Sequence, residues 1–143
     1  MAMLNIENLT TININNQLLE TISNFLTSKD VDMTLCDNRT IQKLNSKFRG
    51  EDRATDVLSF PINLEFPNTP LGSVVISADK VLEGSRKFGH GVDEELALLF
   101  IHGVLHLLGY DHEMDSGEMR SREREVIAKF NLPESLIVRV EGE

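Results

Sequence analysis

The sequence is poor in cysteine and in positive charge. Cys36 is the only cysteine, so no disulfide can form within the chain. A chain of 143 residues is long enough to bury a core without such a bond. The 14 Lys and Arg residues against 23 Asp and Glu residues give a formal net charge of −9. This balance excludes a protein that binds nucleic acid through a general positive field, so any nucleic-acid site must be local.

Long hydrophobic runs are missing as well. The longest apolar stretch, residues 96–108, is interrupted by His102, Gly103 and His106 and is too short to span a bilayer. The first eight residues lack the positive region and the small-residue cleavage site of a secretory signal. Cys36 lies in an alternating apolar run, where a buried thiol is expected. These features predict a cytoplasmic protein without a membrane partner.

Alternating and helical periodicities predict an α+β (α/β-like) fold. Apolar alternation or β-branched runs predict strands at residues 4–9, 31–36, 57–62 and 71–77. Helical spacing predicts helices at residues 15–26, 38–50, 78–88, 93–108 and 115–130. With no repeat or linker, we expect one domain over residues 1–143, a small mixed sheet of about four strands packed with about five helices. The strand order stays open, as does the choice between a strand and a disordered tail at residues 135–140.

Local signals predict where several helices begin and end. Asn38 can cap the second helix, which ends near Gly50. Gly109 follows the last periodic residue of the apolar helix and is predicted to stop it. The final helix alternates Arg120, Arg122 and Arg124 with Glu118, Glu123 and Glu125. This pattern is typical of a solvated face with i,i+4 ion pairs, and we assign it no chemistry.

Three of the four histidines form the strongest signal in the sequence. His102 and His106 are four residues apart on a predicted helix, so they share one face and can offer two imidazoles to one metal ion. Gly109 lets the chain reverse and return His112 to them. Three neutral imidazoles with an open fourth position form a catalytic zinc arrangement, one Zn²⁺ per chain. His90 lies between two glycines and is predicted to be a solvated loop residue.

The spacing of these histidines also occurs in metallopeptidases, in which a glutamate beside the first ligand is the general base. Here that position is Gly103. The pattern therefore still predicts a metal site, but it lacks the proton-transfer group of a peptidase. Asp111, Glu113 and Asp115 remain open as acid or base groups, or as exposed turn residues. For Asp111 a third reading is open, because a carboxylate beside a ligand histidine can orient an imidazole.

Residues 102–112 match the motif His-Gly-x-Leu-His-Leu-x-Gly-Tyr-Asp-His throughout. This motif resembles that of the YbeY endoribonucleases, also described as ribosomal RNA maturation factors. Further matches to the family lie at Leu44-Asn45, Phe48-Arg49, residues 55–61, Leu71-Gly72 and residues 74–77. The sequence departs from the family at Phe48, where a tyrosine is usual, and at Ser73, where an aspartate is usual.

The resemblance implies a zinc-dependent endoribonuclease, specific for single strands, in ribosomal RNA maturation and ribosome quality control. The metal ligands carry over to His102, His106 and His112, and the functionally important arginine carries over to Arg49 as a catalytic and substrate-binding residue. The implied partners are single-stranded ribosomal RNA and a ribosomal subunit or its proteins. Two alternatives remain open, a non-enzymatic ribosome assembly factor with a structural metal and a zinc metallopeptidase-like hydrolase.

The most basic stretch of the chain is residues 39–53, where positive side chains exceed negative ones by three. A solvated helix face and an RNA contact remain equally open for its lysines. Arg49 stands at the expected end of a helix, where a guanidinium can bind a phosphate in a bidentate manner or cap the helix. Asp56 is predicted mainly to bond nearby turn amides, with a place in the substrate groove as the lesser reading.

Overall fold

Four strands form one mixed sheet in the computed structural model, which describes residues 2–62 and 69–133. They are β1 (Leu4–Asn8), β2 (Val31–Cys36), β3 (Val57–Pro61) and β4 (Gly72–Ser77). The strand order is β1-β2-β4-β3, with β1, β2 and β4 parallel and β3 antiparallel to β4 at one edge. The predicted mixed sheet is confirmed, and β3 is the strand that makes it mixed.

Five helices accompany the sheet in the described part of the chain, as predicted. They are α1 (Asn16–Leu26), α2 (Asn38–Arg49), α3 (Ala78–Phe88), α4 (Val92–Leu107) and α5 (Glu118–Phe130). The segment 135–140, for which a strand or a disordered tail was left open, lies outside the described residues. No helix within the described ranges has both the length and the apolar character needed to cross a bilayer.

Helices cover both faces of the sheet because successive residues of a strand point to opposite sides. Val74 and Ile76 of β4 belong to the larger core, which also takes in side chains of α1, α3, α4 and α5. Val75 points the other way into a smaller core with Cys36 and Ile41 of α2. Helix α2 therefore lies on one face of the sheet, and α4 lies on the other.

Helix α4 is the central helix of the larger core. It is apolar all round, and such a helix is stable only when other elements surround it. Gly103 permits its close approach to the sheet, because a Cβ at this position would lie 2.7 Å from Cγ1 of Val74. The Ser59 hydroxyl of β3 donates a hydrogen bond of 2.8 Å to the Gly103 carbonyl. These contacts hold the carboxyl-terminal half of α4 against β3 and β4.

Most predicted helix ends are confirmed, and two are corrected. Asp37 caps α2 in place of Asn38, since its carboxylate accepts a bond of 2.8 Å from the Thr40 amide. Helix α5 begins at Glu118 rather than at residue 115. Asp115 precedes it and accepts bonds from the amides of residues 117 and 119, which hold the pKa of this carboxyl below its usual value. Gly50 and Gly109 both have positive φ angles at the helix ends where they were predicted.

Candidate metal centre

The carboxyl-terminal end of α4 and the turn after it bring three histidines together. His102 and His106 lie one turn apart on α4, and His112 follows the reversal at Gly109, whose φ is 98°. The amide of Gly109 donates to the His106 carbonyl, and that of Tyr110 donates to the Leu105 carbonyl, so the turn is tied to the helix. The three potential ligand atoms all lie within 4.8 Å of one another.

Neighbouring acceptors determine the tautomers of two of these rings. Nδ1 of His106 lies 3.0 Å from the Tyr110 carbonyl oxygen, which can only accept, so this nitrogen carries the proton. Nδ1 of His102 lies 3.1 Å from the Glu123 carboxylate, which likewise accepts. In the neutral form of both rings Nε2 is then the unprotonated nitrogen, and the two Nε2 atoms face each other at 3.1 Å. At this distance two lone pairs repel unless a proton or a metal ion lies between them.

The donor set fits a metal ion such as zinc. Two nitrogens bound to one tetrahedral zinc at about 2.0–2.1 Å stand about 3.3 Å apart, close to the separation of the two Nε2 atoms. Nδ1 of His112 is buried and has no hydrogen-bond partner in the described part of the chain. Burial, followed by the neighbouring His102, lowers the pKa of His106 and favours the neutral imidazole that a metal requires. Imidazole nitrogens bind several transition metals, so the three histidines fit a metal site without selecting zinc.

Glu123 is the residue of this site that the sequence analysis missed. The alternating charges of the last helix predicted a solvated face, but Glu123 is only 1% exposed and contacts His102, itself 8% exposed. The prediction was wrong for this residue because Met119, Glu123 and Val126 form the buried stripe of α5. Their i, i+4, i+7 spacing is the signal, since it places one carboxylate among apolar positions. Arg122 and Glu125 do form a surface ion pair, at i,i+3 rather than at the predicted i,i+4 spacing.

A cleft of about 500 Å³ opens beside the metal centre. Helix α4, the following turn, the edge strand β3 and the end of α2 all contribute to its wall. The polar side chains along it are Arg49, Asp56, Ser59, His102, His106, Tyr110 and Asp111. The cleft therefore places one guanidinium, two carboxylates and two imidazoles on one surface that is accessible to a substrate.

Arg49 lines the same cleft as His102 and His106. Its Nη2 donates a hydrogen bond to the Ser59 carbonyl, and its guanidinium lies over the Phe60 ring with Cζ 5.5 Å from the ring centre. Both contacts are made with β3, the strand that also binds α4 through the Ser59 hydroxyl. One short strand thus positions the arginine relative to the histidines.

The carboxylates that sequence spacing left open take different positions. Asp111 lines the cleft and accepts a bond from the Glu113 amide, as an exposed turn residue does, and no hydrogen bond between it and an imidazole is seen among the described side chains. The carboxylate that contacts the His102 imidazole is Glu123. Asp56 accepts a bond of 2.8 Å from the Val57 amide and also lines the cleft, so both of its predicted roles fit its position.

His90 does not behave as a solvated loop residue, and that prediction was wrong. Its side chain is 9% exposed, and Nε2 lies 2.6 Å from Oε1 of the buried Glu95. Glu95 belongs to the first turn of α4, whereas the three clustered histidines lie at and beyond its last turns. His90 is therefore a packing residue between α3 and α4 and lies apart from the metal centre.

Gly103 also bears on the peptidase alternative. The first two of the three atoms nearest to an added Cβ belong to Val74 and Val57, so this position faces the sheet. A glutamate there could not extend into the cleft without displacing β4. The packing of α4 therefore excludes the general base that the metallopeptidase motif places beside its first ligand.

The chain is similar to known proteins over nearly its whole length. A family model described as endoribonuclease YbeY matches residues 3–131. The endoribonuclease YbeY of Nautilia profundicola is 54% identical over 139 residues, covering 97% of this chain and 99% of that protein. That of Sulfurimonas denitrificans is 51% identical over 140 residues, covering 98% and 100%. The solution structure of TM1509 from Thermotoga maritima is 30% identical, with a TM-score of 0.60 over 89% of this chain and 88% of that one. The chain belongs to the YbeY endoribonuclease family.

Proposed function

We propose that this endoribonuclease cuts single-stranded RNA with one zinc ion held by His102, His106 and His112. The observation that supports this role most directly is the pair of Nε2 atoms, of His102 and His106, that face each other at 3.1 Å beside a cleft containing an arginine. When bound, zinc supplies Lewis acidity toward a phosphoryl oxygen and a water of lowered pKa. The protein supplies the ligands, their orientation and the contacts to the RNA.

Orientation of the ligands is the task of two oxygen atoms. The Tyr110 carbonyl holds the His106 ring, and the Glu123 carboxylate holds the His102 ring. Each of them keeps the proton on Nδ1 and leaves Nε2 free to bind a metal. Because these acceptors belong to the turn and to α5, the site depends on the packing of α5 against α4.

Arg49 is proposed as the catalytic residue that binds the scissile phosphate. One of its five N–H groups is used for the Ser59 carbonyl, and the others remain for phosphate oxygens. A guanidinium can form two parallel bonds to a phosphate and stabilise the negative charge that grows there during cleavage. Its stacking on Phe60 limits its motion, so that little conformational entropy is lost on binding.

The proposed substrate in the cell is ribosomal RNA in the cytoplasm, within a precursor or a defective ribosomal subunit. A net charge of −9 predicts weak, salt-sensitive binding of naked RNA. Docking on a ribosomal subunit or its proteins would raise the effective concentration of the cleavage site without further contacts in the cleft. This proposal rests on the family resemblance and on the charge of the chain.

The experiment that tests the proposed activity is cleavage of labelled single-stranded ribosomal RNA by zinc-loaded protein. A folded His106→Ala variant, purified in the same way, controls for contaminating ribonuclease. Activity of the parent protein that is lost in the variant and on chelation supports the proposal. No activity of the parent on RNA or on ribosomal subunits would overturn it and favour the non-enzymatic assembly factor. Equal activity in both proteins would contradict the assignment of the metal ligands.

The role of Arg49 has its own test. Arg49→Ala is expected to lower kcat/KM by about 10²–10³-fold, because a positioned donor to the reacting phosphate is lost. Arg49→Lys keeps the charge and should recover only part of the loss. Arg53→Ala is the matched control, since Arg53 is an exposed arginine paired with Glu51. Zinc content should stay constant throughout, and unchanged cleavage by Arg49→Ala would reject the phosphate contact.

A further inference from the structure

Helix α2 has the highest net positive charge among the helices of the described residues. This helix carries Arg39, Lys43, Lys47 and Arg49 and no acidic residue. Helices α3 and α5 mix both signs, and α4 begins with three acidic residues. Among the helices of the described ranges, α2 alone has basic residues without acidic ones. In a chain of net charge −9, this segregation creates a local positive field.

Three of these cations line a second concavity of about 500 Å³, which we call the basic groove. Arg39, Lys43 and Lys47 recur every four residues, so they form one ridge along α2, and all three are exposed. The acidic side chain in the groove, Asp52, accepts a hydrogen bond of 3.1 Å from Gln42. Within residues 2–62 and 69–133 none of the three cations forms a salt bridge.

Two aromatic rings connect the basic groove to the catalytic cleft. Lys47 and Arg49 lie on different sides of α2, and Phe48 lies between them. The Lys47 ammonium is 5.2 Å from the centre of the Phe48 ring, and Phe48 packs edge-to-face on Phe60 at 5.5 Å. Phe60 in turn lies under the Arg49 guanidinium. Phe48 is 56% exposed although it is a large apolar residue, so its ring is accessible to a ligand.

We propose that the basic groove and Phe48 bind the stretch of single-stranded RNA that runs next to the scissile phosphate. Arg39, Lys43 and Lys47 contact its phosphates, and Phe48 stacks on one of its bases. A positive groove beside an exposed aromatic ring is the arrangement with which proteins hold single strands without reading sequence. An acidic protein surface would also meet the cations, but the contacts from Lys47 through Phe48 and Phe60 to Arg49 favour a strand that continues into the cleft. This inference rests on the proposed function.

The groove is tested by substrate length and by salt. The triple variant Arg39→Gln, Lys43→Gln, Lys47→Gln is compared with Arg86→Gln, Lys87→Gln, Arg124→Gln, which removes the same charge from exposed positions of α3 and α5. Cleavage is measured on single-stranded RNAs of about three and about twelve nucleotides. We expect the groove variant to raise KM for the longer RNA by about tenfold or more and to leave the shorter RNA unaffected.

Binding provides a readout that does not depend on cleavage. The longer sequence, made as labelled DNA, carries the same phosphates and bases, and fluorescence anisotropy measures its Kd for zinc-loaded protein at several salt concentrations. Each lost phosphate contact should lower the slope of log K against log salt by about 0.7, hence by about 2 for the groove variant. The control variant should keep the slope of the parent protein.

Phe48 is tested separately from the charges. Phe48→Ala is expected to weaken binding of the longer strand by about tenfold, with an unchanged salt slope, because a stacked base is lost but no phosphate contact. Phe48→Tyr keeps a ring and should restore the affinity. Phe88→Ala removes an exposed aromatic residue that lines neither the cleft nor the groove, and it should have no effect.

The outcomes separate this inference from the proposed function. Equal salt slopes and equal KM values for the groove and control variants would overturn the inference, whether or not the parent protein cleaves RNA. A groove variant that loses binding while the parent binds but does not cleave would support the groove and reject the proposed activity. If the groove variant loses binding to an acidic ribosomal protein and keeps its affinity for the longer strand, the groove binds a protein partner and the inference that it binds RNA is rejected.

Discussion

Glu123 shows how one buried carboxylate can orient the ring of a candidate metal ligand that lies 21 residues away in sequence. A carboxylate inside a core is expensive to desolvate unless it has a partner, and here the partner is the His102 ring. The contact holds the proton on Nδ1 and directs Nε2 toward His106. At this scale, the chemistry of the site depends on which nitrogen of each imidazole carries hydrogen.

Replacement of this carboxylate should weaken metal binding while the fold stays intact. Glu123→Gln keeps the shape of the side chain and loses its charge, so we expect zinc affinity to fall by about 10–100-fold. Competition with a chromophoric chelator measures the affinity, and Glu125→Gln on the exposed face of α5 is the control. Thermal unfolding of the metal-free proteins checks the fold. A zinc affinity equal to that of the parent protein would show that Glu123 has only a packing role.

Cys36 offers a second test at the residue scale. Burial, together with the nearby charges of Asp37 and Asp79, raises the pKa of its thiol to about 11. At pH 8 about one thiol in a thousand is then ionised, and the thiolate is the reactive form. We expect iodoacetamide to modify the native protein very slowly and the urea-unfolded protein at once, as read by intact mass. Rapid labelling of the native protein would contradict the burial of this side chain.

At the scale of elements, the contact between α4 and the sheet determines the geometry of the site. Gly103 lets the helix approach β4, and Ser59 of β3 joins the Gly103 carbonyl and Arg49 to the same strand. A shift of α4 away from the sheet would move His102 and His106 relative to Arg49. A glycine inside a helix usually lowers helix stability, so its presence here is explained by packing.

A methyl group at position 103 should push α4 away from β4. Gly103→Ala is expected to destabilise the metal-free protein by about 1–3 kcal/mol, because the new Cβ overlaps Val74. Urea unfolding of Gly103→Ala, Val74→Ala and the double variant measures the coupling. The double variant should be more stable than the sum of the single effects predicts. Strict additivity would mean that the added methyl group meets no resistance from β4.

For the whole molecule, we expect the pH dependence of stability to follow the titration of His106. Burial lowers the pKa of His106 below its ordinary value of 6.5, so in the window just below pH 6.5 the unfolded chain binds more protons than the folded chain. The free energy of unfolding of the metal-free protein should therefore rise with pH through this window and decrease on acidification.

The comparison that isolates this contribution is His106→Gln in chelator-treated protein. Urea unfolding between about pH 5 and pH 7.5 gives the free energy of each protein, and the variant should have the smaller slope below pH 6.5. The two cap carboxylates, Asp37 and Asp115, also have lowered pKa values and stabilise the fold above their unfolded pKa of 3.8. The stabilisation from these two carboxylates is lost only when they are protonated at lower pH, and this loss is common to both proteins. Parallel slopes would rule out the contribution of His106.

The sequence by itself determined the elements and the meeting of the three histidines proposed as metal ligands, because both depend on local spacing. Alternation and helical periodicity carry the information for strands and helices, as for β2 and α3, whose predicted and observed bounds agree. The i,i+4 pair of histidines and the glycine turn bring three imidazoles together within eleven residues of chain. Geometry over so short a stretch of chain follows from the local backbone and does not depend on how the other elements pack.

Only the tertiary structure decided which distant groups meet. The antiparallel edge position of β3, the contact of Glu123 with His102 and the buried pair of His90 with Glu95 arise from packing between separate elements. The periodicity of a single helix or strand does not predict these contacts, because a charged residue in a helix has the same spacing whether it faces water or a core. Because one face of α5 is buried against α4, Glu123, for which the charge pattern predicted no role, contacts the candidate metal ligand His102.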